Sequence, residues 1–97
     1  MCKSEIFAEL LRIVSKETEI STSDILSNSK ETEVVDARYL LVRLLFENGF
    51  YPSQIASHIR KTNRSVHYIL SHFSDRLEVG KIFRIQYENI RKRLRNS

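Results

Sequence analysis

Residues 53–77 read SQIASHIRKTNRSVHYILSHFSDRL, and the rhythm of this stretch sets the expected fold. Ile55, Ala56 and Ile59 share one face of a short helix that is expected to end near His58 or Ile59. Val66, Ile69, Leu70, Phe73 and Leu77 recur at helical spacing along a longer one that runs from just after Thr62 to about Leu77. The apolar pattern breaks at Arg60, Lys61 and Thr62. Thr62 is placed to cap the second helix, its hydroxyl accepting an amide two or three residues on. Ala56 is small enough for the second helix to cross over it, and Ser65 is expected to fit closely beside the first. Two helices crossing at roughly 90–120° over a three- or four-residue turn are a helix-turn-helix. The alternative is a plain antiparallel helical pair. Arg60 and Lys61 depart from the commonest turn, which has glycine and then an apolar residue.

Working back toward the N-terminus, Pro52 opens the first of these helices, where its missing N–H has no intrahelical partner. Before it lies the most apolar segment, Glu33 to Asn48, with Val34, Val35, Ala37, Leu40, Leu41, Val42, Leu44, Leu45 and Phe46. A helix apolar on most of its circumference is one surrounded by others, and Gly49 is suited to end it. Asn28 to Thr32 reads as a polar loop. Ser21 accepting from the Asp24 amide predicts a short helix from about Thr22 to about Ser27. Ile6, Phe7, Leu10, Leu11, Ile13 and Val14 predict another from about Ser4 to about Thr18. A closing helix is expected from about Val79 to about Arg95, with Val79, Phe83, Ile90 and Leu94 inward. The expectation is one all-α domain over residues 1–97, of five or six helices with no sheet.

Composition agrees with that class. The 97 residues are 41% hydrophobic with only two glycines and one proline, which suits a packed helical domain. Cys2 is the only cysteine, so neither an internal disulfide nor a cysteine metal site is available. Glu5 and Glu9 interrupt what would be the apolar core of a signal peptide, and the run Tyr39 to Phe46 is too short to span a bilayer. A cytoplasmic setting without membrane association is therefore expected. His58, His67 and His72 have no recognised ligand spacing and are expected on the polar surface. No paired-carboxylate or nucleophile signature is present, so neither an enzyme nor a cofactor is expected, and no small-molecule ligand is inferred.

Charge is unevenly distributed. Residues 1–57 carry six Lys/Arg against nine Asp/Glu, or −3; residues 58–97 carry ten against three, or +7; together they give the net +4. The basic half would attract a polyanion, or it is a solvated surface with no partner. Arg91, Lys92, Arg93 and Arg95 form a basic tail, suited either to phosphates or to a helix C-terminus. No acid lies between His58 and Ser74. The outward face of the second helix carries Asn63, Arg64, His67 and Ser71, beside Arg60 and Lys61 in the turn. Side chains of these types present donors to base edges and cations to phosphates. Double-stranded DNA is accordingly the expected partner of Arg60, Lys61, Thr62, Asn63, Arg64, Ser65, His67 and Ser71. The rival is a protein-interaction adaptor that uses the same basic face for an acidic partner. A monomer and a homodimer remain equally open.

The stretch Ser15 to Leu94 also resembles a known family, the C-terminal DNA-binding domain of the bacterial chromosomal replication initiator DnaA. The resemblance rests on Ser23-Asp24-Ile25-Leu26 as a short helix and Ala37-Arg38-Tyr39-Leu40 opening the long one. It continues through Pro52, through Thr62-Asn63-Arg64-Ser65-Val66 at the signature that opens the recognition helix, and through the amphipathic segment Lys81 to Leu94. It implies a Trp-repressor-like helical fold and double-stranded DNA binding, but not the replication role. Two departures stand out: the family's basic loop is replaced by the net acidic Ser29–Asp36, and the turn is one residue shorter. No phosphate-binding P-loop is present.

Overall fold

The computed structural model describes residues 2–96, and among them there are six helices and no strand. The elements are α1 (Lys3–Thr18), α2 (Thr22–Ile25), α3 (Thr32–Glu47), α4 (Pro52–Ile59), α5 (Asn63–Val79) and α6 (Lys81–Arg95). The fold class is all-α, as the periodicity predicts.

α3 is the axis of the molecule and packs against α1, α2, α4 and α5. Ala37, Leu40, Leu41, Val42, Leu44 and Leu45 are buried along it, so apolar side chains cover most of its circumference. α6 closes the bundle over α1 and α5. Phe73 of α5 meets Phe83 and Tyr87 of α6 edge to face, with ring centroids 5.4 and 5.0 Å apart. Nearly all of the buried apolar side chains form one connected core. Two polar links cross it at the rim. Asp36 pairs with Arg76 at 2.6 Å, and the Arg76 guanidinium lies over the Tyr39 ring. The Tyr87 hydroxyl donates to Glu47, which Arg43 also holds at 3.1 Å.

Local signals set most of the boundaries. Ser21 accepts from the Asp24 amide, Pro52 occupies the first turn of α4, and Gly49 follows α3 at φ +90°. α2 is one turn long and stops at Ile25 rather than near Ser27. α1 begins one residue earlier than expected, because the Cys2 amide and thiol both donate to Glu5.

Some expected placements differ. Val79 is the last residue of α5, not the first of α6, and is 86% exposed rather than inward. Gly80, at φ −103° and ψ 100°, breaks the helix after it, so Val79 falls on the outer side of the corner. Leu70 and Leu77 are half-buried at the edge of the core, and Phe46 is exposed. His58 is half-buried, with its ring stacked on Phe7 at 4.8 Å and edge-on to Phe50 at 5.6 Å. Among the described residues, no helix is long and apolar enough to cross a membrane.

Candidate nucleic-acid interface

Three residues join α4 to α5, and each has its own job. Arg60 closes α4 in the left-handed region, at φ 57° and ψ 44°. The amides of Arg60 and Lys61 both donate to the Ala56 carbonyl. Arg60 therefore fills the conformational role that glycine has in the commonest turn. A side chain there costs roughly 1–2 kcal/mol. Arg60→Gly is expected to stabilise the fold by a net ~0.5–1 kcal/mol, because glycine also loses more entropy on folding. A higher denaturation midpoint with an unchanged slope would show it; a lower one would refute it.

Lys61 turns away from solvent. Its ammonium donates to the Ser27 carbonyl at 3.0 Å and to the Asn28 side-chain oxygen. Thr62 is the N-cap: its hydroxyl accepts from the Ser65 amide at 3.1 Å and donates to the Ser65 hydroxyl at 3.1 Å.

From that origin the faces of α5 are fixed. Val66, Ile69 and Phe73 point into the core. Asn63, Arg64, His67 and Ser71 are exposed on the opposite side. Ser71 is engaged within the helix, donating to the Tyr68 carbonyl at 3.0 Å. Among the described residues, the side chains of Asn63, Arg64 and His67 make no hydrogen bond or ion pair. Ser65 is exposed rather than fitted against α4. All eight expected site residues thus lie in the turn or on α5. Among the described residues, the side chains of six are exposed with no hydrogen bond or ion pair outside the turn and α5's own first turns, Lys61 is held by the loop after α2, and Ser71 by its own helix.

Three residues outside the expected set belong to this surface. Tyr68 is exposed beside Arg64 and stacks on His72 with centroids 3.9 Å apart. Lys30 and Arg38, with Lys61 and Arg64, line a cleft of about 500 Å³ beside α5. Burial pushes the Arg38 guanidinium below its ordinary range. Burial, with the nearby charges of Arg38 and Lys30, does the same to the Lys61 ammonium. The acids of segment 29–36 are turned to other uses. Glu31 and Glu33 stand at the start of α3, where the helix dipole favours them, and Asp36 holds Arg76.

The basic tail is the last part of α6. The Arg91 guanidinium lies 5.3 Å from the Tyr87 ring centre, and Lys92, Arg93 and Arg95 are exposed. Among the described residues, no three His, Cys, Asp or Glu side chains gather as a metal site would require. The chain matches no protein-family model, and no curated protein matches it.

Proposed function

We propose that the chain binds double-stranded DNA through α4, the Arg60–Thr62 turn and α5 acting as a helix-turn-helix, as a small cytoplasmic regulator of transcription or replication. On this reading it is a divergent relative of the DnaA C-terminal domain. The observation that carries it is the free set Asn63, Arg64 and His67 on the first turns of α5. Helix-turn-helix proteins present those turns to the major groove. Arginine holds guanine through two hydrogen bonds, and asparagine does the same for adenine. Arg60, outside the groove-facing set, is left for phosphate. Lys61 contributes charge to the same surface while its ammonium fixes the turn to the loop after α2.

The test begins with selection of a preferred duplex from a random library. Arg64→Ala is then expected to cost roughly 1–3 kcal/mol on that site and much less on a scrambled one. Binding of the wild type should also weaken steeply between about 50 and about 200 mM salt, as counterions return to the phosphates. Equal losses on both sequences would leave Arg64 a phosphate contact and remove base reading by α5. Absence of salt-sensitive duplex binding, with retention of an acidic protein ligand, would favour the adaptor reading.

A further inference from the structure

The cleft beside α5 carries a charge problem that the protein does not solve by itself. Lys30, Arg38, Lys61 and Arg64 line it, and among the described residues no carboxylate does. The ion pairs among the described residues use Arg12, Arg43 and Arg76, and none of these four. Arg38 is only 7% exposed, yet its partners are all carbonyls, those of Ile25, Ser27 and Ser29. Lys61 leans on the same Ser27 carbonyl. Carbonyl oxygens orient such donors without neutralising them, and a buried cation lacking an opposite charge is costly.

The rest of the cleft suits an anion with a ring attached. Of the five guanidinium donors of Arg38, three are bonded to carbonyls and the others are left over. The cleft opens beside the first turn of α5, through Thr62 and Ser65. There the helix dipole adds positive potential. Tyr68 lines it as well, 57% exposed, with its ring stacked on His72. About 500 Å³ lies within the range of small-molecule sites, roughly 300–1,000 Å³.

We propose that this cleft binds a phosphoryl group carried by a single nucleotide-sized unit. The phosphate sits among Lys30, Arg38, Lys61 and Arg64, and the ring lies along Tyr68. A free mononucleotide and one nucleotide of a DNA strand offer this same chemistry. The binding itself does not depend on the DNA reading above. Its consequence does: Arg64 belongs to both surfaces, so a free ligand in the cleft should lower duplex affinity.

The experiment is calorimetric titration of the full chain with AMP, inorganic phosphate and adenosine, with a short duplex in a parallel arm. AMP is expected to bind, phosphate to bind more weakly, and adenosine not to bind. Lys30→Glu alters an exposed loop residue and should weaken AMP at least tenfold. Lys16→Glu makes the same charge change on α1, which lends no residue to the cleft, and should alter AMP binding less than twofold. AMP binding without any duplex binding would keep the cleft and remove the DNA reading. Duplex binding that falls tenfold in Lys30→Glu, with no response to AMP, would assign the cleft's phosphate to the DNA strand. The proposal is overturned if adenosine binds as well as AMP, or if Lys16→Glu weakens AMP as much as Lys30→Glu does. It is also overturned if AMP and phosphate give no heat and Lys30→Glu leaves duplex affinity unchanged.

Discussion

Arg38→Met is expected to destabilise the protein by about 3 kcal/mol. The Arg38 side chain crosses from α3 to the end of α2 and the segment after it. Its Nε donates to the Ile25 carbonyl at 2.9 Å, and its two terminal nitrogens donate to Ser27 and Ser29 at 2.7 and 3.2 Å. Methionine relieves the cost of burying a cation, which burial-driven depression of the Arg38 pKa makes plain. It also strands the Ile25 and Ser29 carbonyls, while the Ser27 carbonyl keeps Lys61, and each buried acceptor without a donor costs roughly 1–3 kcal/mol. The second term wins because two acceptors depend on this one side chain. Arg38→Lys should recover less than half of the loss, since an ammonium lacks the planar fork that spans separated oxygens. Urea unfolding of the three proteins measures this. A loss below about 0.5 kcal/mol in Arg38→Met would mean that the loop finds water or other donors at no cost.

Leu44→Ala is expected to cost about 2–5 kcal/mol. Leu44 is buried on α3, the helix against which four others pack. A cavity there is walled by several elements, so no single one closes it by shifting. Leu44→Met, which nearly keeps the volume, should cost less than about 1.5 kcal/mol. The check is the denaturation midpoint of both variants at unchanged slope. Equal, small losses for the two would show that the site relaxes around the missing atoms.

Local chemistry was legible in the sequence wherever one residue and its near neighbours decide the outcome. Thr62 and Ser21 cap because their oxygens reach an amide three residues on. Gly49 ends α3 because the chain turns left-handed there. The circumference of α3 announces its central position. What the sequence hides is set between elements. Val79 continues an apolar pattern, but which way it faces depends on how Gly80 swings α6 against α5. His58 reads as a surface histidine until Phe7 and Phe50, from other parts of the chain, close on it. Lys61 reads as a cation for DNA and nothing in the sequence marks Arg38 as buried, because the carbonyls that draw both inward belong to a loop with no periodicity of its own. Arg60 appears in the sequence only as a missing glycine; the backbone shows that the glycine's geometry was kept without it. On α5 the polar face was readable because Val66 and its partners fix the opposite one. The Lys30 side of the cleft was not, since it lies more than thirty residues away in the chain.

The single turn of α2 has a consequence in time. A helix of four residues does not persist alone, so α2 and the loop to Glu31 depend on the buried Ile25 side chain and on Arg38 and Lys61 holding their carbonyls. Amide hydrogens from Ser27 to Glu31 should exchange with solvent by local opening, while those of α3 wait for the whole molecule to unfold. That opening removes one wall of the cleft and leaves the bundle standing. Anything seated between Lys30 and Arg64 therefore acts as a brake on this breathing, and its arrival is written in the exchange rates of a loop it has no need to reshape.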